Sequence, residues 1–401
     1  MPLLWRRIWA AALGLFALLA LAALVGAAYR QVVHPPLWDF KVFWTIGHIA
    51  AAGHNVYDPA SFLPFREITN PSHDREFDSI ALGIGMPYPP PAILLFYPLG
   101  FLPGIPAAMA LWYLALFAAL ALATMLLFRE YFMPYNVAGL IAAAIFVVAL
   151  PATTATIQLA QINFIALCFL ILFWGERNGW RAGLWLAPVV ILRPFAIIFA
   201  VYLIARRRWS TLLSALAALA ALFALSIPFV GWKGLVSYAQ RNPSQRYPQA
   251  YFVGGYDSLY KILSRFDRDP AGYFSLSAHP WFVLIAVALV ALGAIVCLRS
   301  GAAQRETCLA ALLALGLFLY PNTGSHYAVL LLPALCLLWR DRKRLGIGTL
   351  GATGIITLEY VAFTFSAANG AVFALDAILF AALALRRPSK VRGLRTAPSV
   401  D

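Results

Sequence analysis

Mainly apolar runs near 8–28, 105–128, 137–157 and 162–175, and again near 210–230, 280–298, 306–320, 326–339, 345–365 and 371–385, dominate this chain. A helix needs about 20 such residues to cross the hydrocarbon core of a bilayer. The pattern therefore predicts an all-α polytopic membrane protein of about ten full spans. Two shorter apolar pieces, 182–192 and 195–205, are joined at Arg193 and Pro194. They are expected to form a bent or re-entrant helix pair that returns to its starting side, with two short spans as the alternative. Composition agrees, because 62% hydrophobic against 11% charged over 401 residues is far too apolar for a soluble globule.

The net charge of +14 does not call for nucleic acid. Most of the Lys and Arg crowd into short loops and ends on one side of the predicted path, such as Arg206, Arg207 and Arg208 or Arg340, Arg342, Lys343 and Arg344, as the positive-inside rule expects. Both termini are thereby placed in the cytoplasm. Residues 1–385 form one transmembrane domain and 386–401 a basic cytoplasmic tail. Two outer loops are expected, 29–104 and 231–279. The first ends in "MPYPPPAILLFYPLGFLP", which is expected to lie in the interface because each proline removes a backbone donor. Val25 and Ala27 resemble cleavage positions, but the run is longer than a usual signal core and is expected to be an uncleaved anchor. The four cysteines fall in or beside apolar runs, a pattern of neither a disulfide framework nor a metal cluster.

A few polar residues are left unexplained by this scheme. Asp39 follows the first run, in "HPPLWDFKVFW" with Lys41. A carboxylate desolvated by aromatics gains proton affinity and suits a general base; an N-cap for the helix that follows is an equal reading. Arg193 lies midway through an apolar stretch, where a charge costs about 2.5–3.5 kcal/mol even on the lenient insertion scale. At a helix broken by Pro194 it is suited to hold a phosphate, or to pair with a buried acid or carbonyls. Gln161 and Asn163 in "QLAQINF" and His326 in "YPNTGSHY" occupy turns that, on the predicted path, reach the same membrane face as Asp39 and Arg193. Tyr88, Tyr320, Asn322 and Tyr327 join Lys41 as candidate substrate-loop residues.

The order of "DFKVFWTIGHIAAAGHNVYD", "YPPPAILLFYPLG", "QINFIALCFLILFWGERNGWRAGLWLAPVVILRPF" and "YPNTGSHYAVLLLPAL", over roughly 30 to 340, resembles glycosyltransferase family 87. The resemblance implies a GT-C-like membrane enzyme using a polyprenyl-phosphate sugar, often mannose. It places the catalytic acid on Asp39, the Gln-x-Asn motif on Gln161 and Asn163, and the basic residue before proline on Arg193, where many members carry Lys. The late turn departs from the family pattern, reading Tyr320, Pro321, Asn322. The expectation is inverting hexosyl transfer to a glycan or glycolipid at the outer face of a bacterial inner membrane. Asp39 would be the base, His326 a second catalytic candidate, and Arg193 with Gln161 and Asn163 would face the donor phosphate. No cofactor and no metal are expected, since no His/Cys cluster falls in the outer loops; the second loop holds one Asp-x-Asp, at Asp267 and Asp269. The rival readings are a flippase or transporter of lipid-linked sugars and a polyprenyl-diphosphate-dependent ligase or polymerase.

Overall fold

A computed structural model describes residues 3–33, 38–69, 86–132, 135–240, 247–248, 258–263, 273–274, 280–321, 323–364 and 369–386. The helices are α1 (Leu3–Val33), α2 (Trp38–Ala51), α3 (Ile105–Tyr131), α4 (Val137–Val148), α5 (Pro151–Gln158), α6 (Asn163–Gly175), α7 (Gly179–Leu192), α8 (Phe199–Ala205), α9 (Trp209–Gln240), α10 (Pro280–Arg299), α11 (Arg305–Leu319), α12 (Leu332–Asp341), α13 (Gly348–Ala362) and α14 (Asn369–Leu385), with short helical turns between some of them. Strand pairing among the described residues is confined to a two-residue antiparallel ladder, Tyr247–Pro248 against Tyr273–Phe274. The fold is all-α, as the hydropathy pattern predicts.

The helix lengths do not by themselves establish ten full spans. Among the described residues, four helices besides the 31-residue α1 are long and apolar enough to cross a membrane: α3, α9, α10, and Ala302–Leu319, which contains α11. A fifth results if α4 and α5, bent by 63° at Pro151, count as one. Proline explains much of the difference, because each one removes an N–H and crowds the preceding turn. Pro151 divides the run 137–157, and Pro194 ends α7 in a 3₁₀ turn, Pro194–Ile198. The 13 residues of α6 and 14 of α7 cover about 20 Å at 1.5 Å per residue, short of a hydrocarbon core about 30 Å thick.

The chain doubles back at Arg193, as both a re-entrant pair and two short spans require. Gly179 at the start of α7 and Leu203 in α8 line the same cavity, so the chain turns at Arg193 and comes back to the end it left. The proline-rich piece after residue 86 is likewise irregular, running through the 3₁₀ turns Pro90–Ala92 and Tyr97–Phe101 with one helical turn between. It packs backbone to backbone against α2, where a Cβ on Gly47 would overlap the Phe96 carbonyl and one on Gly100 would overlap Gly47. Phe43 of α2 stacks on Phe96 at 4.5 Å and meets Trp112 of α3 at 5.8 Å. This aromatic seat fixes the helix that carries Asp39.

Candidate active site

Three interruptions of the helical bundle meet at one end: the turn from α5 to α6, the step from α7 into Pro194–Ile198, and the turn after α11. Broken helices leave backbone groups that need partners, and here α3 supplies them. Trp112 Nε1 donates to the Ala160 carbonyl at 2.7 Å and the Tyr113 hydroxyl to the Ile157 carbonyl at 3.0 Å. Ala160 itself is left-handed, with φ 49°. Arg193 is driven from helical geometry by the proline that follows, to φ −142° and ψ 87°.

Arg193 is only 2% exposed. Its Nε donates to Asn163 Oδ1 at 2.7 Å, Nη2 to Gln161 Oε1 at 2.9 Å and Nη1 to the Tyr327 hydroxyl at 3.1 Å. Its guanidinium carbon lies 4.3 Å from the centre of the Tyr327 ring, and Tyr88 lies within its electrostatic reach. These partners are all neutral. The balancing charge is reached through Gln161, whose Nε2 donates to Asp39 Oδ2 at 2.7 Å. One end of that amide accepts from a cation and the other donates to an anion, which fixes its orientation.

Asp39 lies inside the first turn of α2, and its carboxylate is directed to Gln161 rather than to its own helix. The N-cap reading therefore gives way to a contact across the fold. Burial pushes the carboxyl above the ordinary carboxylate range, while the Gln161 bond and the Arg193 charge pull it back. Oδ2 is held by Gln161; Oδ1 carries no hydrogen bond among the described residues, so one oxygen remains to take a proton.

His326 enters by its backbone. Its carbonyl accepts from Asn163 Nδ2 at 2.8 Å and from the Thr156 hydroxyl at 3.2 Å. The half-buried imidazole stands 4.7 Å from the Tyr327 ring, within electrostatic reach of Arg193 and Lys261. Tyr320 lies 6.3 Å from Tyr327 and 6.1 Å from Phe195. Lys41 is not brought in: two residues after Asp39, it points about 200° away around the helix. Asn322 lies outside the described residues. Two polar groups escaped the sequence reading. Thr156 stood in a run of small residues, and Lys261, 6% exposed with Nζ donating to the Thr323 carbonyl at 2.9 Å, looked like one more loop cation. Among the described residues no group of three or more His, Cys, Asp and Glu side chains is placed to hold a metal ion.

The model of glycosyltransferase family 87 matches residues 87–321, more than half the chain. That stretch contains Tyr88, Gln161, Asn163, Arg193 and Tyr320, and is narrower than the 30 to 340 expected, stopping short of Asp39 at one end and His326 at the other. No curated protein and no solved structure matches the chain.

Proposed function

The chain belongs to glycosyltransferase family 87, and we propose that it moves a hexose, with mannose the first to test, from a polyprenyl-phosphate donor to a glycan or glycolipid hydroxyl at the outer face of a bacterial inner membrane. The observation that supports this reading is the relay from Asp39 through Gln161 to Arg193. It sets a carboxylate of raised proton affinity and a buried cation at a fixed separation, with one amide between them.

The proposed step is a single inverting displacement. Asp39 Oδ1 takes the proton from the acceptor hydroxyl as that oxygen bonds to the anomeric carbon, and the bond from this carbon to the donor phosphate oxygen breaks. The departing polyprenyl phosphate is already ionised, so a positive charge can stand in for the general acid that glycoside hydrolysis requires. Arg193 supplies that charge, with Asn163 and Gln161 holding its fork, and His326, Tyr88 and Tyr327 bordering the donor. Since α6 and α7 reach only about 20 Å from their far ends to this point, the site sits below the outer surface, at a depth where a lipid-linked phosphate arrives laterally.

The test is protein purified into nanodiscs with a panel of radiolabelled polyprenyl-phosphate sugars. Sugar transfer by the wild type, with Asp39→Asn slower by about 10²- to 10⁴-fold yet still binding donor, is the expected result. Donor crossing the bilayer without any transfer would favour the carrier reading instead.

A further inference from the structure

At the opposite ends of α6, α7 and α11 lies a second polar cavity of about 170 Å³. Arg177, Arg208 and Arg305 line it, and Glu176 is the one acid among its walls. Arg305 is half-buried and Arg177 and Arg208 are exposed at the rim, so three like charges border one hollow. Their counter-charges are incomplete. Glu306 takes Arg177 at 2.7 Å but also Arg340 at 2.6 Å. Arg305 bonds only carbonyls, those of Trp174 at 2.8 Å, Glu176 at 3.1 Å and Phe173 at 3.3 Å. Glu176 Oε1 is taken up by the Asn178 backbone N–H at 2.8 Å. Arg208 makes no side-chain hydrogen bond or ion pair among the described residues.

The local backbone adds to the same charge. Arg208 is the residue before α9, its carbonyl accepting from Leu212 N at 3.1 Å, and an arginine side chain offers no acceptor to the first-turn N–H groups. Those groups and the positive end of the helix dipole remain for an anion, beside the Thr211 hydroxyl on the cavity wall. The volume is well below the roughly 300–1,000 Å³ of a drug-sized pocket and matches a small headgroup.

We propose that this cavity is a phosphoryl-anion site, remote from the transfer site, that takes the phosphate of an anionic phospholipid headgroup or a free phosphate through Arg177, Arg208 and the first turn of α9. A cationic hollow at a membrane-facing helix end is where anionic lipids concentrate. The positive-inside rule alone would put arginines at this end, but it does not require them to converge on a cavity.

Full-length protein in nanodiscs tests this, with bound lipid read by native mass spectrometry and the thermal midpoint followed in parallel. The discs are phosphatidylcholine alone, phosphatidylcholine with phosphatidylglycerol, or phosphatidylcholine with added inorganic phosphate. Phosphatidylglycerol should bind the wild type, and about a hundredfold more weakly in Arg208→Gln paired with Arg177→Gln, the scale of two lost charge-assisted hydrogen bonds. Thr211→Val, nearly isosteric, should weaken binding less and guards against misfolding of the double variant. A response to phosphatidylglycerol but not phosphate identifies a headgroup site, and a response to both a site for any phosphoryl anion. Arg207→Gln, beside the cavity without lining it, should bind as the wild type does. If Arg207→Gln loses as much as the double variant, or if neither loses anything, the basic surface acts as a whole and the proposal fails.

Discussion

Gln161 connects the two charged residues of the candidate site, and its substitution separates their effects. The amide bond holds the Asp39 carboxyl down against burial, so the base has a value above the ordinary carboxylate figure of about 4 but short of what burial alone would produce. In the proposed step the ionised form is the active one, and transfer should therefore fall as pH is lowered through that raised value. In Gln161→Leu the lowering bond is gone, so the acid limb of the pH–rate profile should move to still higher pH. An unmoved limb would mean that Asp39 is not the group being titrated. Arg193→Ala should leave Gln161 Oε1 and Asn163 Oδ1 without their donor, at about 1–3 kcal/mol for each buried acceptor, and lower the thermal midpoint together with donor binding. Arg193→Lys keeps the charge but loses the planar fork that meets three acceptors at once, and partial transfer with weaker donor binding is expected. A folded Ala variant that binds donor normally would remove the phosphate role from Arg193.

At the scale of elements, the site depends on how short, interrupted helices are seated. The α2 helix carries Asp39 and rests against Tyr97–Phe101 with no side chain between at Gly47 and Gly100. A methyl group there must push the helices apart, and a displacement of about 1 Å near reacting groups can cost 10²-fold in rate. Gly47→Ala should therefore lose transfer by about 10²-fold while the protein remains folded in detergent. Full activity in Gly47→Ala would show that the seat of α2 does not set the position of Asp39. The breaks themselves were legible, because proline at 151 and 194 has a local steric consequence that needs no partner. Their angles were not: the 63° bend between α4 and α5 follows from what each helix packs against.

For the whole molecule, the charge distribution still predicts which side is which. Cysteines introduced near Ser72 and Ser244 should react with an impermeant reagent in sealed cells, and one near Arg342 should not; labelling at Arg342 would invert the path. The sequence by itself determined the solvent this protein folds in, the existence and order of its helices, and the turns where chemistry is gathered, since hydropathy and proline act over a few residues. It also singled out Asp39 and Arg193, because a charge among apolar or aromatic neighbours is anomalous wherever the chain goes. It left the number of full spans open, because an apolar run signals burial in lipid or in protein without distinguishing them, and α6 is largely buried inside the fold. Only the tertiary structure decided that Gln161 joins Asp39 to Arg193 and that Arg177, Arg208 and Arg305 border one cavity. Those relations join residues far apart in sequence, and their distances follow from how helices pack rather than from any local preference.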